Sequence, residues 1–116
     1  RLQELGAVDE ADVALLRRLV RAKRNIVVAG GTGTGKTSVL SALAVEIPPE
    51  EGIVVIEDAR EIQLSNEHAL SLQSRAAGED GPAAVAIRDL FRATLRMRPD
   101  RVVSGEIRGG EALDLL

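Results

Sequence analysis

Eight consecutive residues, GGTGTGKT at positions 30–37, have the types and spacing to hold a polyphosphate. Gly30, Gly35, Lys36 and Thr37 occupy the fixed places of G-x-x-x-x-G-K-T. The glycines at 30, 31, 33 and 35 permit positive φ and a close approach of backbone to ligand. Successive N–H groups then face one concavity at the positive end of a helix dipole. Thr32, Thr34 and Ser38 complete the residues expected to line a nucleotide's phosphates. Lys36 is expected to reach the β- and γ-phosphates, and the Thr37 hydroxyl to ligate Mg2+. A Gly/Thr-rich hairpin tip is the bland alternative, and it needs neither the lysine nor a helix after it.

Phosphoryl transfer also needs a group that orients or deprotonates the attacking molecule. Acids at the carboxyl ends of buried parallel strands stand where open α/β sheets place their ligands. Glu57 and Asp58 follow the apolar run IVVI at 53–56, and Glu106 follows RVVSG at 101–105. Glu106 is the first candidate for a metal- or water-directed acid, with Glu57 and Asp58 as a second acidic group. A solvated strand end is the alternative for Glu57 and Asp58. Arg108 could meet phosphate or an acid. The phosphoryl group could pass to water, as in an ATPase, or to a small acceptor, as in a kinase. Guanine selection has no support, since neither Asn25 nor Asn66 begins N-K-x-D.

These groups require strands and helices to hold them. The run IVVA at 26–29 predicts a strand leading into the loop, and SVLSAL at 38–43 a helix after it. That helix should stop near Glu46, because Pro48 and Pro49 block its continuation. Upstream, Asp9 predicts the cap of a helix with Glu10 and Asp12 in its first turn and Arg17, Arg18, Arg21, Lys23 and Arg24 toward its end. Val13, Leu16 and Val20, with Leu15 and Leu19, form its apolar stripe; the basic cluster reads as a solvated helix end. Glu50, Glu51 and Gly52 predict a surface turn. Residues 53–56 predict a strand buried on both faces, and residues 61–74 a small extra strand pair. His68, the only histidine, reads as a surface residue, and residues 75–82, RAAGEDGP, as a loop. A helix is expected over 83–97, with Ile87, Leu90, Phe91, Thr94 and Leu95 on one face. Arg88, Arg92 and Arg96 recur on another, either solvated or offered to an acidic partner or phosphate. Strand 101–105 completes a βαβ order, hence an α/β fold with a mainly parallel sheet.

Composition agrees with that class. Hydrophobic residues make up 45% of the 116, with Phe91 the only aromatic, so the core must be aliphatic. A net charge of −3 argues against nucleic-acid or membrane binding through bulk charge. The absence of cysteine excludes disulfides and thiolate metal sites. No apolar run approaches the roughly 20 residues of a membrane span, and no signal peptide opens the chain. A cytoplasmic protein is therefore expected. The absence of an initiating Met and the end at Leu116 in mid-pattern suggest a fragment.

Three segments together resemble the secretion-ATPase superfamily of type II and type IV secretion and pilus assembly: GGTGTGKT, then IEDAREIQL from Ile56, then IRDLFRATLRMRPDRVVSGEIRGGEALDLL from Ile87. The ATPases of tight-adherence pili and of conjugative transfer look most similar. The resemblance runs from about Leu2 to Leu116, and RMRPDR with GEIRGGEALDLL is its most specific part. It implies a RecA-like P-loop core, the nucleotide-binding part of a C-terminal ATPase domain. ATP and Mg2+ would be the cofactors. Glu57, Asp58 and Glu61 would be the acidic "Asp box" and Glu106 the Walker B glutamate. It further implies a homo-oligomeric ring, a hexamer, working against inner-membrane secretion or pilus-platform proteins at the cytoplasmic face; from the charge balance, no direct nucleic-acid binding is expected. A histidine box would follow Leu116, and a domain supplying arginines would precede Arg1. A strand encoded after Leu116 would also insert between those at 26–29 and 102–105, so the stretch alone is expected to be unstable and to hydrolyse no ATP. Ser104 departs from the apolar residue usual there, and the loop at 75–82 looks short. A metabolite kinase or phosphotransferase is the alternative, as is an assembly module that binds nucleotide without turnover.

Overall fold

The computed structural model describes residues 6, 8–78 and 83–107. They fall into two compact units, Arg1–Pro48 and Pro49–Leu116.

The first unit contains helices α1 (Glu10–Arg21) and α2 (Lys36–Val45). Asp9 caps α1, its Oδ1 accepting the Asp12 N–H at 2.7 Å, with acids in the first turn and arginines in the last. Val20 is buried and Val13, Leu16 and Leu19 are half-buried, so the expected stripe exists. Leu15 falls off it at 53% exposure, because it lies about 200° round the helix from Val13. Lys23, at φ 53°, turns the chain away after α1. α2 packs against α1, burying Leu43 and Ala44, and ends ahead of the two prolines as expected. Arg17 Nη2 meets Glu46 Oε1 at 2.9 Å; that hydrogen bond, then the carboxylate's charge, raises the guanidinium pKa.

Residues 26–29 do not form the expected strand. Val27 is 80% exposed. An apolar run becomes a strand only where a neighbour supplies ladder partners, and none does so among the described residues.

The second unit is a sheet with a helix on it. Strands β1 (Ile53–Glu57), β2 (Ala69–Gln73) and β3 (Arg101–Ser104) lie in the order β2-β1-β3. Both pairings are parallel: Ile53 stands beside Ala69 on one side and Arg101 on the other, Ile56 beside Leu72 and Ser104. β1 is buried along its whole length, as a central parallel strand should be. Helix α3 (Ile87–Met97) packs against β1 and β2. Val54, Ile56, Ile87 and Phe91 form the core there, with Leu72, Leu90 and Val102 around them.

Four expectations change here. The segment 61–74 gives one strand, β2, paired in parallel with β1 rather than a strand pair of its own; Ile62 is nonetheless buried at 2% exposure. Arg75 forms an isolated antiparallel bridge with Val85. That bridge holds Val85 in extended backbone, so α3 begins at Ile87 rather than near 83. Leu95 is 66% exposed, while Thr94 is buried with its hydroxyl donating to the Leu90 carbonyl at 2.8 Å.

The fourth concerns the turn at 50–52. Glu51 is not a solvated turn residue: Arg101 Nε and Nη2 donate to its Oε2 and Oε1 at 2.6 and 3.3 Å, with side chains only 11% and 13% exposed. The Gly52 N–H donates to Asp100 Oδ2 at 2.9 Å, and the Asp100 and Arg101 N–H groups donate to the Gly52 carbonyl at 2.9 and 3.1 Å. This clasp fixes the starts of β1 and β3 together. His68 is exposed as expected. Among the described residues no helix is long and apolar enough to cross a membrane.

Candidate functional site

The loop at 30–35 leads into α2, the expected loop-to-helix context. Gly33 and Gly35 take positive φ, 76° and 88°, a conformation that glycine adopts without strain. Gly30 does not; its reason is space, since a Cβ there would stand 2.7 Å from Thr34 Oγ1. The loop is closed on itself through one carbonyl. Gly31 O accepts the Thr34 hydroxyl at 2.8 Å and the Lys36 ammonium at 2.5 Å, so Lys36 is folded back over the loop that carries it.

α2 starts from Gly35 with no side-chain cap. Its first-turn N–H groups therefore have neither a helical partner nor a capping oxygen, the arrangement that receives an anion. Gly30 to Gly35, Thr32 and Thr34 included, and Ser38 are exposed, while Lys36 and Thr37 are half-buried. This donor set fits a polyphosphate. Among the described residues no group of three or more His, Asp or Glu is arranged to hold a metal. Mg2+ at such a loop needs one hydroxyl, that of Thr37, with the remaining oxygens from phosphate and water, so a metal arriving with its nucleotide fits.

The acids at the carboxyl ends of β1 and β3 differ from one another. Glu57 is buried at 3% exposure, its Oε1 accepting the N–H groups of Glu61 at 3.1 Å and Ile62 at 3.0 Å. Asp58 is exposed; its Oδ1 accepts the Ser74 hydroxyl at 2.5 Å, and its carbonyl the Gln73 amide at 2.9 Å. Glu106 is exposed beyond the end of β3. β1 and β3 being adjacent and parallel, both acidic groups leave the same end of one sheet. Arg108 lies outside the described residues.

Sequence reasoning missed two neighbours of these acids, Ser74 and Gly105. Ser74 binds Asp58 from the end of β2, a contact set by strand register and unmarked in the sequence. Ser104, which the sequence already marked as a polar residue in an apolar strand, has an Oγ that is buried without a hydrogen-bond partner among the described residues. Gly105 sits against the Glu57 side chain; a glycine directly before Glu106 was the signal available.

The whole chain, residues 1–116, matches the family model described as type II/IV secretion system protein. It is 48% identical over 113 residues to the type IV secretion system protein PtlH of Bordetella pertussis, covering 96% of this chain and 32% of that protein. It is 39% identical over 110 residues to the conjugal transfer protein TrbB of Rhizobium radiobacter, covering 92% and 32%. Among solved structures, the VirB11 ATPase of the Brucella suis type IV secretion system, in complex with sulphate, superposes with a TM-score of 0.78 at 39% identity, over 97% of this chain and 31% of that one. The chain thus spans about a third of the length of the relatives it matches.

Proposed function

Because the chain belongs to the type II/IV secretion system protein family, we propose that it is the nucleotide-binding core of a motor that hydrolyses ATP to drive secretion or pilus assembly. The observation that carries this reading is the loop at 30–37: left-handed glycines, an uncapped helix start and a lysine over the concave side. Likeness to an ATPase solved with sulphate, an anion of phosphate's shape, supports the same ligand.

In this mechanism the backbone N–H groups of 31–37 and the Lys36 ammonium gather the phosphates, Lys36 leaving the Gly31 carbonyl for them. Mg2+ bound with the nucleotide would be held by Thr37 and would neutralise charge on the β- and γ-phosphates; Asp58 and Glu106 are read as the acids that serve the metal. Glu106 orients a water and takes its proton as the water oxygen bonds to the γ-phosphorus and the bond to ADP breaks. Asp58 is read as the second acid, and Arg108 as a residue that binds phosphate. The sheet is read as part of a RecA-like P-loop core. The complete protein is read as a ring, a hexamer, at the cytoplasmic face of the membrane beside platform proteins, without direct contact to nucleic acid.

Lys36→Ala in the full-length protein tests this. Charge-assisted hydrogen bonds contribute about 1.5 to 3 kcal/mol each, so affinity for a fluorescent ATP analogue should fall at least about tenfold. Equal affinities in parent and variant would remove the loop from the site.

A further inference from the structure

Glu57 and Gly105 face each other across adjacent strand ends. The carboxyl oxygen Oε1 of Glu57 holds two backbone N–H groups, while Oε2 is buried and has no hydrogen-bond partner among the described residues. A Cβ on Gly105 would stand 3.0 Å from Glu57 Cγ and 3.3 Å from Oε1. Gly105 has no left-handed backbone to explain it, so the missing Cβ serves to make room for Glu57. The contact is held from below, where the Gly105 N–H donates to the Ile56 carbonyl at 2.9 Å.

A group that acts on a nucleotide must reach it. Glu57 is enclosed, and the oxygen that could be shared is turned into the protein, whereas Asp58, Glu61 and Glu106 are exposed. We propose that Glu57 is a positioning residue: its Oε1 pins the turn at 58–62, which carries Asp58 and Glu61, and Gly105 is the glycine that lets the end of β3, with Glu106 next in sequence, close against it. One contact then sets both acidic groups. For its activity readout the inference rests on the ATPase reading; its structural readout does not.

Three variants of the full-length protein test it: Glu57→Gln, Glu57→Ala and Gly105→Ala. The amide oxygen of Gln still accepts both N–H groups, so Glu57→Gln should keep the hydrogen-exchange protection of the Glu61 and Ile62 amides and hold kcat within about threefold of the parent. Glu57→Ala removes the acceptor and Gly105→Ala displaces it. Both should speed exchange at those two amides by about tenfold or more and lower kcat at least about tenfold with KM for ATP little changed. Two results would overturn the proposal: Glu57→Gln as slow as Glu57→Ala while its amides stay protected, which makes the carboxylate the acting group, or parental exchange at 61 and 62 in Glu57→Ala. Should Glu57→Ala fail to fold, Gln and Gly105→Ala decide. A parent without turnover would sink the ATPase reading alone, and the exchange rates would still decide the pinning.

Discussion

At the amino-terminal end of the sheet, Glu51 and Arg101 close a two-bond ion pair and Asp100 ties the Gly52 backbone. At the other end, among the described residues, Glu57 has one oxygen without a hydrogen-bond partner and Ser104 a hydroxyl without one. Both ends carry charged side chains taken largely out of water, yet only one spends them all on the chain itself. Buried polar groups are usually paired, and exceptions call for a reason. The clasp end is finished because its task is to hold β1 and β3 in register. The acid end carries the candidate site, and its unpaired atoms are tolerated where the chain keeps groups for a ligand or for placing other groups.

The contrast breaks most easily at the clasp. Arg101→Ala removes two guanidinium hydrogen bonds from the largely buried Glu51 carboxylate, which should destabilise the protein by about 3 kcal/mol or more, lowering the denaturation midpoint while leaving ATP turnover per folded molecule near the parent's. The pair exchange Glu51→Leu with Arg101→Met should be milder than either single change; equal loss in all three would mean that packing, not charge, holds this end.

Glu106→Gln should do the reverse. Turnover should fall about a hundredfold, near 2.7 kcal/mol in the barrier, with Mg-ATP binding and melting close to the parent's. Parental turnover would make Glu106 structural and leave Asp58 as the leading acid.

A smaller effect is expected at Asp100→Ala, which strips the Gly52 N–H of its acceptor. A loss of about 1 kcal/mol in urea unfolding, without change in kcat, fits a clasp residue. A fall in kcat at parental stability would move Asp100 to the functional end.

Ser104→Ala sharpens the comparison at its finest point. Removing a buried hydroxyl that has no partner among the described residues should be neutral or stabilising by up to about 1 kcal/mol. Destabilisation beyond that would mean that the Ser104 hydroxyl is paired in solution.

Much of this architecture is legible from local chemistry. The cap at Asp9 and the helix stop before Pro48 and Pro49 depend on neighbours in sequence, the continuous apolar run at 53–56 marks a strand buried on both faces, and each stands as expected. Expectations fail where partners come from elsewhere. Residues 26–29 have strand composition and no ladder. Residues 83–86 have helical composition, yet Val85 bridges to Arg75. Leu95 looks like part of an apolar face and is left exposed, while Thr94 satisfies its hydroxyl within the helix and goes inside.

The sequence by itself determined the expectation of a phosphate loop, because a G-x-x-x-x-G-K-T run between an apolar segment and a helix carries that signal within a few residues, and it determined which acids follow apolar strands. Only the tertiary structure decided what surrounds those acids. The parallel register of β1 and β3 brings Gly105 to Glu57 and Arg101 toward Glu51, pairs separated by some fifty residues. Whether a carboxylate is enclosed, clasped or open depends on which backbone and side chains surround it, and strand pairing sets those surroundings, not the residues beside it in the chain.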